Sequence, residues 1–543
     1  MKWAQAPASR EQILLFRESL DDAIGADHPI RCFDVLLKEL NWKAWEARYD
    51  PTRGQPAVHP RLVAGVILWG ALKGIRSSRK LEEATGERLD LLWFLERRSL
   101  DHSTLAKFRV RFERELKDLT RQLSQQVVDR SCGEFMEIIL DGTRMRADSD
   151  RCGARTAEAL ERLRADCEKK LRESLDQLAQ GDLFEVPQTQ EAEVLQQEME
   201  RLHRQLEKYE RALEVARKRD VAKEEIFGSK ATPVRVPVTD ADSTLMPNKE
   251  GGFAPNYTPV LAVDSQSGAI VYGEIVEGSD ESPSVAAAVQ EVQENLGQKP
   301  QRLLADTGFA SGPALEFLKE AQVDAYLPTG TLKQKQEPVQ RAEPSEPISP
   351  ERWKDLPRKG KQLDRSAFVY DAEGDQYYCP MGKALKRFRR GRYQYTGYQY
   401  VSYRCPGRVG CPLAERCVRG KAKYRTVQRD EYQELRDRVD KRMATEDGKK
   451  IYKRRAPVIE GVFGIIKHVL GVRRFLLRGI DQVRIEWNWI CAAFNLKKLL
   501  QLCRTGKNPV NYCPNSVLQR LVCCSPSLQR VRAKISPLAL CAA

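Results

Sequence analysis

Apolar residues fall three and four positions apart across residues 59–72 and 103–116, the spacing that gives a helix one buried face. Residues 1–130 read as helical throughout, with Ser103 as the N-cap of HSTLAKFRVRF and Arg109, Arg111 and Arg114 on that helix. At residue 135 the period changes. FMEIILDG is a short apolar run closed by an acid and a glycine, and YTPVLAVDS and AIVYGEIVEG follow as β-branched runs separated by the turn signal SQSG. The helical stretch SPSVAAAVQEVQENLG leads to QRLLADTG, a second strand closed by an acid and a glycine. A short helix, ALEFLKEAQ, and a last strand, VDAYLP, complete the pattern. Strands followed by alternating helix and strand predict an α/β fold, a sheet flanked by helices.

Residues 156–225 interrupt that sheet. Leu195, Met199, Leu202, Leu206, Tyr209 and Leu213 alternate by four and three, a heptad seam, and Leu160, Leu163, Cys167, Leu171 and Leu178 form a weaker stripe before it. Gly181 and Pro187 break the chain between the stripes, which predicts two antiparallel helices packed as a hairpin, with a dimerising coiled coil as the alternative. Residues 331–365 are rich in Pro, Glu, Lys and Gln and read as an exposed linker. Residues 366–425 gather aromatics, arginines and four cysteines, and residues 446–500 are basic and then strongly helical. The tail after Gly506 carries cysteines without clear periodicity.

Charge narrows the choice of partner. The 543 residues carry a formal net charge of +15, with a pI near 9.1, which favours a polyanion, nucleic acid before a membrane surface. Short basic helices in the N-terminal region fit a helix-turn-helix-like DNA module and a generic helical bundle equally well. An apolar share of 41% excludes global disorder. No apolar run reaches the roughly 18 residues of a membrane span. The opening MKWAQAPASREQILLF has no apolar core or cleavage site, so a cytoplasmic protein is expected, nucleoid-associated in a bacterium. In a reducing compartment its 14 cysteines are expected as thiols or metal ligands rather than disulfides.

Three acids stand out. Asp141 and Asp306 each end an apolar strand, and strand ends in an α/β sheet open onto the ligand crevice. Either alone reads equally as a turn residue; two in one sheet weaken that reading. Glu460 lies in PVIEGVFGIIKHVLGVRRF among apolar neighbours, where an acid faces a metal or partner more readily than bulk water. Lys467 follows seven residues later, two helical turns along the same face. Cys379, in YYCPMG, and Cys405, Cys411 and Cys417, in CPGRVGCPLAERC, are candidates for a tetrahedral structural Zn²⁺ site, against the simpler reading of ordinary thiols. LKRFRRGRYQYTGYQYVSYR suggests a strand-rich basic surface facing DNA.

The order of LDGTRMRAD, TDADSTLM, LAVDS, LLADTGFAS and VIEGVFGIIK resembles insertion-sequence DDE transposases with an RNase H-like catalytic domain, and HPRLVAGVILWG through DHSTLAKFR resembles their helical N-terminal domain. The resemblance covers most of residues 20–500. It implies an all-α N-terminal DNA-binding domain over 1–130. It implies an RNase H-like core, a mixed sheet flanked by helices, over 135–155 and 230–330, completed by late helices over 445–500. A helical-hairpin insertion at 156–225, a linker and Cys-rich insertion at 331–440 and a tail at 501–543 make up the remainder. It gives Asp141, Asp306 and Glu460 the catalytic, metal-holding positions, with two Mg²⁺ or Mn²⁺ ions as cofactors. Tyr452, Glu460 and Lys467 fit the family's Tyr-Arg-Glu-Lys signature, whereas Ala456 stands where many members have Arg and Arg455 comes one residue early. Tyr452, Arg455, Lys467, Arg109 and Arg111 are the candidate DNA contacts. The expected partners are double-stranded DNA, as terminal inverted repeats and target, and a second copy of the chain in the DNA complex, with no membrane. An RNase H-like nuclease without strand transfer and a transposase-derived DNA-binding protein are the alternatives.

Overall fold

The computed structural model describes residues 19–49, 57–131, 135–180, 190–228, 231–247, 251–278, 280–329, 341, 343–418, 420 and 422–505. The Gly181–Pro187 break, the first part of the expected linker and the cysteine-bearing tail lie outside the described residues. Seven helices open the described residues: α1 Pro29–Lys38, α2 Lys43–Glu46, α3 Pro60–Leu72, α4 Ser78–Glu87, α5 Leu89–Phe94, α6 His102–Arg111 and α7 Glu113–Arg130. The helix expected over 103–116 is divided at Phe112, whose ring packs on Trp45 and Phe108. Its N-cap is Asp101 and not Ser103. The Asp101 carboxylate accepts the Thr104 N–H at 2.8 Å and both the Ser103 and Thr104 hydroxyls, which leaves Ser103 no capping task.

The sheet follows. Its central five strands are β1 Glu137–Gly142, β2 Phe253–Asp264, β3 Ile270–Val276, β4 Arg302–Leu304 and β5 Asp324–Tyr326. They lie in the order β3-β2-β1-β4-β5, with β3, β2 and β1 antiparallel and β1, β4 and β5 parallel. Met145–Arg146 and Thr244–Pro247 extend the sheet by pairing with the start of β2. β2 is buried along almost its whole length, as expected of a central strand covered on both faces. The helices α10 Ser284–Leu296 and α11 Gly312–Glu320 connect β3 to β4 and β4 to β5.

Two additions leave this frame. α8 Ala157–Gln180 and α9 Gln190–Phe227 pack against each other, with Leu160, Cys167, Leu202, Tyr209 and Leu213 buried between them. The Arg217–Glu161 ion pair joins the end of one helix to the start of the other, so the two run antiparallel within one chain. The second addition carries the cysteines. β6 Val369–Asp371, β7 Gln376–Tyr378, β8 Ala384–Arg392, β9 Gln399–Arg404 and β10 Thr426–Asp430 form an antiparallel meander, with the short α12 Ala414–Cys417 against it. Part of the stretch expected as linker is folded here. Ile348, Leu356 and Leu363 are buried in the same small core as Tyr377 and Tyr403. Three apolar residues spaced among many polar ones were too sparse to outweigh the linker composition.

Four helices close the described chain: α13 Gln433–Ala444, α14 Glu446–Lys453, α15 Arg455–Gly464 and α16 Ile480–Thr505, with a π-helical turn at Ile465–Val469 after α15. α16 is buried on all sides from residue 487 to 496, where Trp487, Cys491, Ala492, Phe494 and Leu496 enter the core. It packs on both the N-terminal helices and β3, so one continuous core runs from Ile24 to Cys503. Asn495 shows how. Its amide accepts the Ile270 N–H at 2.9 Å and donates to the Ile270 carbonyl at 2.8 Å, standing in for a neighbouring strand at the edge of β3. It also donates to Ser124 Oγ of α7 at 3.0 Å. Asn495→Leu keeps the volume but strands the buried Ile270 N–H, and is expected to cost about 2–3 kcal/mol. An unchanged unfolding midpoint for the full chain would show that this amide adds no net stability.

Candidate active site

The parallel pairing of β1 with β4 matches Ile138 to Leu303 and Ile139 to Leu304. Carrying that register two residues further on each strand sets Asp141 beside Asp306. Alternation along a strand puts Asp141 on the face of Ile139 and Asp306 on the face of Leu304, so both acids leave the sheet on the same side. Asp306 caps the 3₁₀ turn Thr307–Phe309 by accepting the Gly308 N–H at 2.8 Å. Asp141 accepts the Gly142 N–H at 3.0 Å.

A third carboxylate converges here, one that sequence reasoning did not single out. Glu281 lies in the loop between β3 and α10. A Cβ added at Gly142 would stand 2.5 Å from Glu281 Oε1, and one added at Gly308 would stand 3.0 Å from Asp306 Oδ1 and 3.9 Å from Glu281 Oε2. Both glycines thus clear space that carboxylate oxygens occupy. In sequence Glu281 sits in EGSDESPS, which reads as a polar loop leading into a helix; the glycines after both strand-end acids were the only local hint of a crowded cradle.

Electrostatics bear out the crowding. Burial pushes the Asp141 carboxyl up, the Asp306 charge adds to it, and Arg455 opposes both. Burial, with the charges of Asp306 and Asp141, raises Glu281 to about 7. Arg455 Nη2 pairs with Asp141 Oδ1 at 2.9 Å, with both side chains largely buried. The one-residue displacement of this arginine in the sequence therefore does not keep it from the acid. Its neighbour Arg454 reaches Glu137 at the start of the same strand, at 3.0 Å. Pro457, in the first turn of α15, suits the break after α14 that turns both arginines toward β1. Tyr452 packs beside Arg455, near both aspartates, and its burial raises its phenol. The Arg455 Nε is buried without a hydrogen-bond partner among the described residues, a donor available to an anion.

The remaining expected site residues are placed differently. Glu460 is exposed on α15 and makes no hydrogen bond or ion pair among the described residues. Lys467 lies in the π turn and reaches Thr143 Oγ1 and the Arg144 carbonyl, just after Asp141. A π turn holds more residues than an α turn, so Lys467 does not share a straight-helix line with Glu460. Arg109 is turned inward: burial lowers it to about 10, with Glu486 compensating in part. Arg111 lies over the rings of Tyr49 and Phe112 and donates to the Arg48 carbonyl at 2.8 Å.

Carboxylate oxygens around Asp141 are the donor type that a hard divalent cation takes, and the glycine cradle leaves them room to converge. As placed, no group of three or more His, Cys, Asp or Glu among the described residues is arranged to hold a metal ion. The same holds for the cysteines. Cys379, Cys405, Cys411 and Cys417 line one cavity of about 30 Å³, space for a single ion or water, as free thiols. The backbone N–H groups of Lys383 and Met381 approach the Cys379 sulfur, and Arg425 N–H donates to Cys405 Sγ at 3.1 Å. Burial raises Cys379, and raises Cys417 to about 12.

Beside this cavity, β8 presents Lys386, Arg387, Phe388, Arg389 and Arg390 to solvent. Arg404 stacks between Phe388, at 3.7 Å from its ring centre, and Tyr424, at 4.6 Å. No helix among the described residues is long and apolar enough to cross a membrane.

Comparison with known families gives two matches. Residues 18–111 match the family described as Transposase domain (DUF772), and residues 378–500 match Transposase DDE domain. The second match spans the cysteines, Tyr452, Arg455, Glu460 and Lys467; Asp141, Asp306 and Glu281 lie between the two matched stretches. No curated protein and no solved structure matches the chain. The two matches, to transposase domain models at either end of the chain, are together consistent with an insertion-sequence DDE transposase.

Proposed function

We propose that this chain binds the ends of its own insertion element and cleaves and transfers DNA strands at a site built on Asp141, Asp306 and Glu460. The observation that carries the reading is the β1–β4 register, which brings two carboxylates from distant sequence to one pocket at a sheet end. The order β3-β2-β1-β4-β5, three strands antiparallel and the last two parallel to the first, supports an RNase H-like core. Two Mg²⁺ or Mn²⁺ ions bound there would activate the attacking oxygen and stabilise the leaving one in an in-line displacement. Asp141 and Asp306 would hold them from the sheet and Glu460 from α15. Arg455, now paired with Asp141, would turn its free donor to a DNA phosphate as cations take over the carboxylate. Tyr452 and Lys467 flank the same strand end and would position the DNA backbone. Recognition of the terminal repeats falls to the helical N-terminal region, and two copies of the chain are expected to hold the paired ends.

Asp141→Ala, Asp306→Ala and Glu460→Ala are each expected to reduce cleavage of terminal-repeat DNA to background while gel-shift binding survives. Near wild-type cleavage by any one of them removes that residue from the site. Cleavage is expected to require Mg²⁺ or Mn²⁺, and full activity in EDTA would sink the two-metal chemistry.

The basic strand β8 gives a separate expectation. Lys386, Arg389 and Arg390 are exposed and form no ion pair among the described residues. Replacing all three by Ala is expected to weaken DNA binding and flatten its salt dependence, by about 0.9 in the log–log slope for each phosphate that is no longer neutralised. An unaltered slope would place the DNA elsewhere.

The four cysteines are assigned to one structural Zn²⁺, since four thiolates around a single-ion cavity leave no position open for water or substrate. Elemental analysis of chelator-free protein is expected to give one zinc per chain, absent from a quadruple Cys→Ser variant. A value near zero would leave them as buried thiols.

A further inference from the structure

We propose that Glu281 is a direct ligand of the divalent cations at this site, the acid that completes the pocket from the β3–α10 loop. The inference rests on the metal-dependent reading of Asp141 and Asp306 given above. Its basis is geometric. Glu281 oxygens come up against both glycines that follow the strand-end acids, close enough that a single Cβ at Gly142 would collide with them. The loop is held for this. Ser282 N–H is bonded to Asp280 Oδ1 at 3.0 Å, and the Glu281 carbonyl accepts the Ser284 N–H at 3.1 Å at the start of α10. The backbone of Glu281 is therefore fixed while its carboxylate makes no hydrogen bond or ion pair among the described residues.

A merely structural glutamate in a partly buried place would be expected to find a donor, because desolvating an unpaired carboxylate is costly. Here the nearest charges are two further carboxylates, with Arg144 as a partial counterweight that already donates to the Pro247 carbonyl at 2.7 Å. Three carboxylates brought together with two arginines, Arg144 and the Arg455 paired with Asp141, still lack one positive charge, and a cation supplies it. Glu460, by contrast, is exposed on α15, whereas the Glu281 oxygens stand against the glycines that follow the two aspartates.

The test is Mn²⁺ binding by the full-length protein, followed by the electron paramagnetic resonance of free Mn²⁺, beside thermal unfolding in EDTA. Wild type is expected to bind Mn²⁺, and Glu281→Gln and Asp141→Asn each to bind it about tenfold more weakly or worse. In EDTA, Glu281→Gln is expected to unfold at or above the wild-type temperature, because it removes one of three crowded charges. Wild-type Mn²⁺ affinity in Glu281→Gln with loss in Asp141→Asn would overturn the assignment of Glu281 and leave the site standing. Retention of Mn²⁺ by both variants, or no binding by wild type, would overturn the metal reading itself, and Glu281 with it. Should Glu281→Gln fail to fold, Glu281→Asp keeps the charge one methylene short. Weakened Mn²⁺ binding by that variant with normal unfolding supports ligation, and unchanged binding overturns it.

Discussion

Like-charged carboxylates repel, and they share a pocket only where the backbone leaves them no alternative. In this protein the constraint is the parallel ladder between β1 and β4. Its register makes Asp141 and Asp306 neighbours although 165 positions separate them, and its hydrogen bonds are buried under helices on both faces. The antiparallel pairing of β1 with β2 anchors the other side, with Asp141 opposite Leu261. A one-residue slip in either ladder would turn an acid into the core and an apolar side chain into the pocket. The glycines after the two acids serve the same end by leaving room where a side chain would strike an oxygen.

Around that pair the late helices act as a clamp. Arg454 and Arg455 both reach β1, at Glu137 and Asp141, and Lys467 reaches the turn beyond it. On the proposed reading, Arg455 offsets burial of the Asp141 charge and keeps a buried Nε donor for a DNA phosphate. α16 closes the structure from behind, with Asn495 satisfying the edge of β3 and Trp489 donating to the Arg109 carbonyl at 3.1 Å. The N-terminal helices and the sheet therefore share one core, so a force applied to one is carried to the other through rigid packing.

The cysteine module has its own small core, built on Tyr377, Tyr403 and Leu385. Its middle strand, β8, runs on past the end of β7 and pairs there with β9 alone, and this is the stretch that carries the exposed arginines. The strands β8 to β10 of the module and α15 fall within the stretch matching the transposase DDE domain, which sets a candidate DNA-facing strand and a candidate catalytic helix within one matched stretch.

The chain's local pattern was enough to determine its parts. Periodicity gave the strands ending at Asp141 and Asp306, the helical hairpin and the helical N-terminal region, because amphipathic spacing reports one buried face per element. The grouping of four cysteines around one cavity was legible from their closeness in sequence. What the sequence could not supply was the meeting of distant segments. Glu281 sits in an ordinary polar loop, and only the crossover from β3 to α10 aims it between two strand ends. Arg109 has the spacing of a surface arginine, yet the packing of α16 encloses it. The offset of Lys467 follows from a π turn that residue spacing does not reveal. Local propensity selects each element, while sheet register and helix packing, which depend on residues hundreds of positions apart, decide which side chains share a pocket.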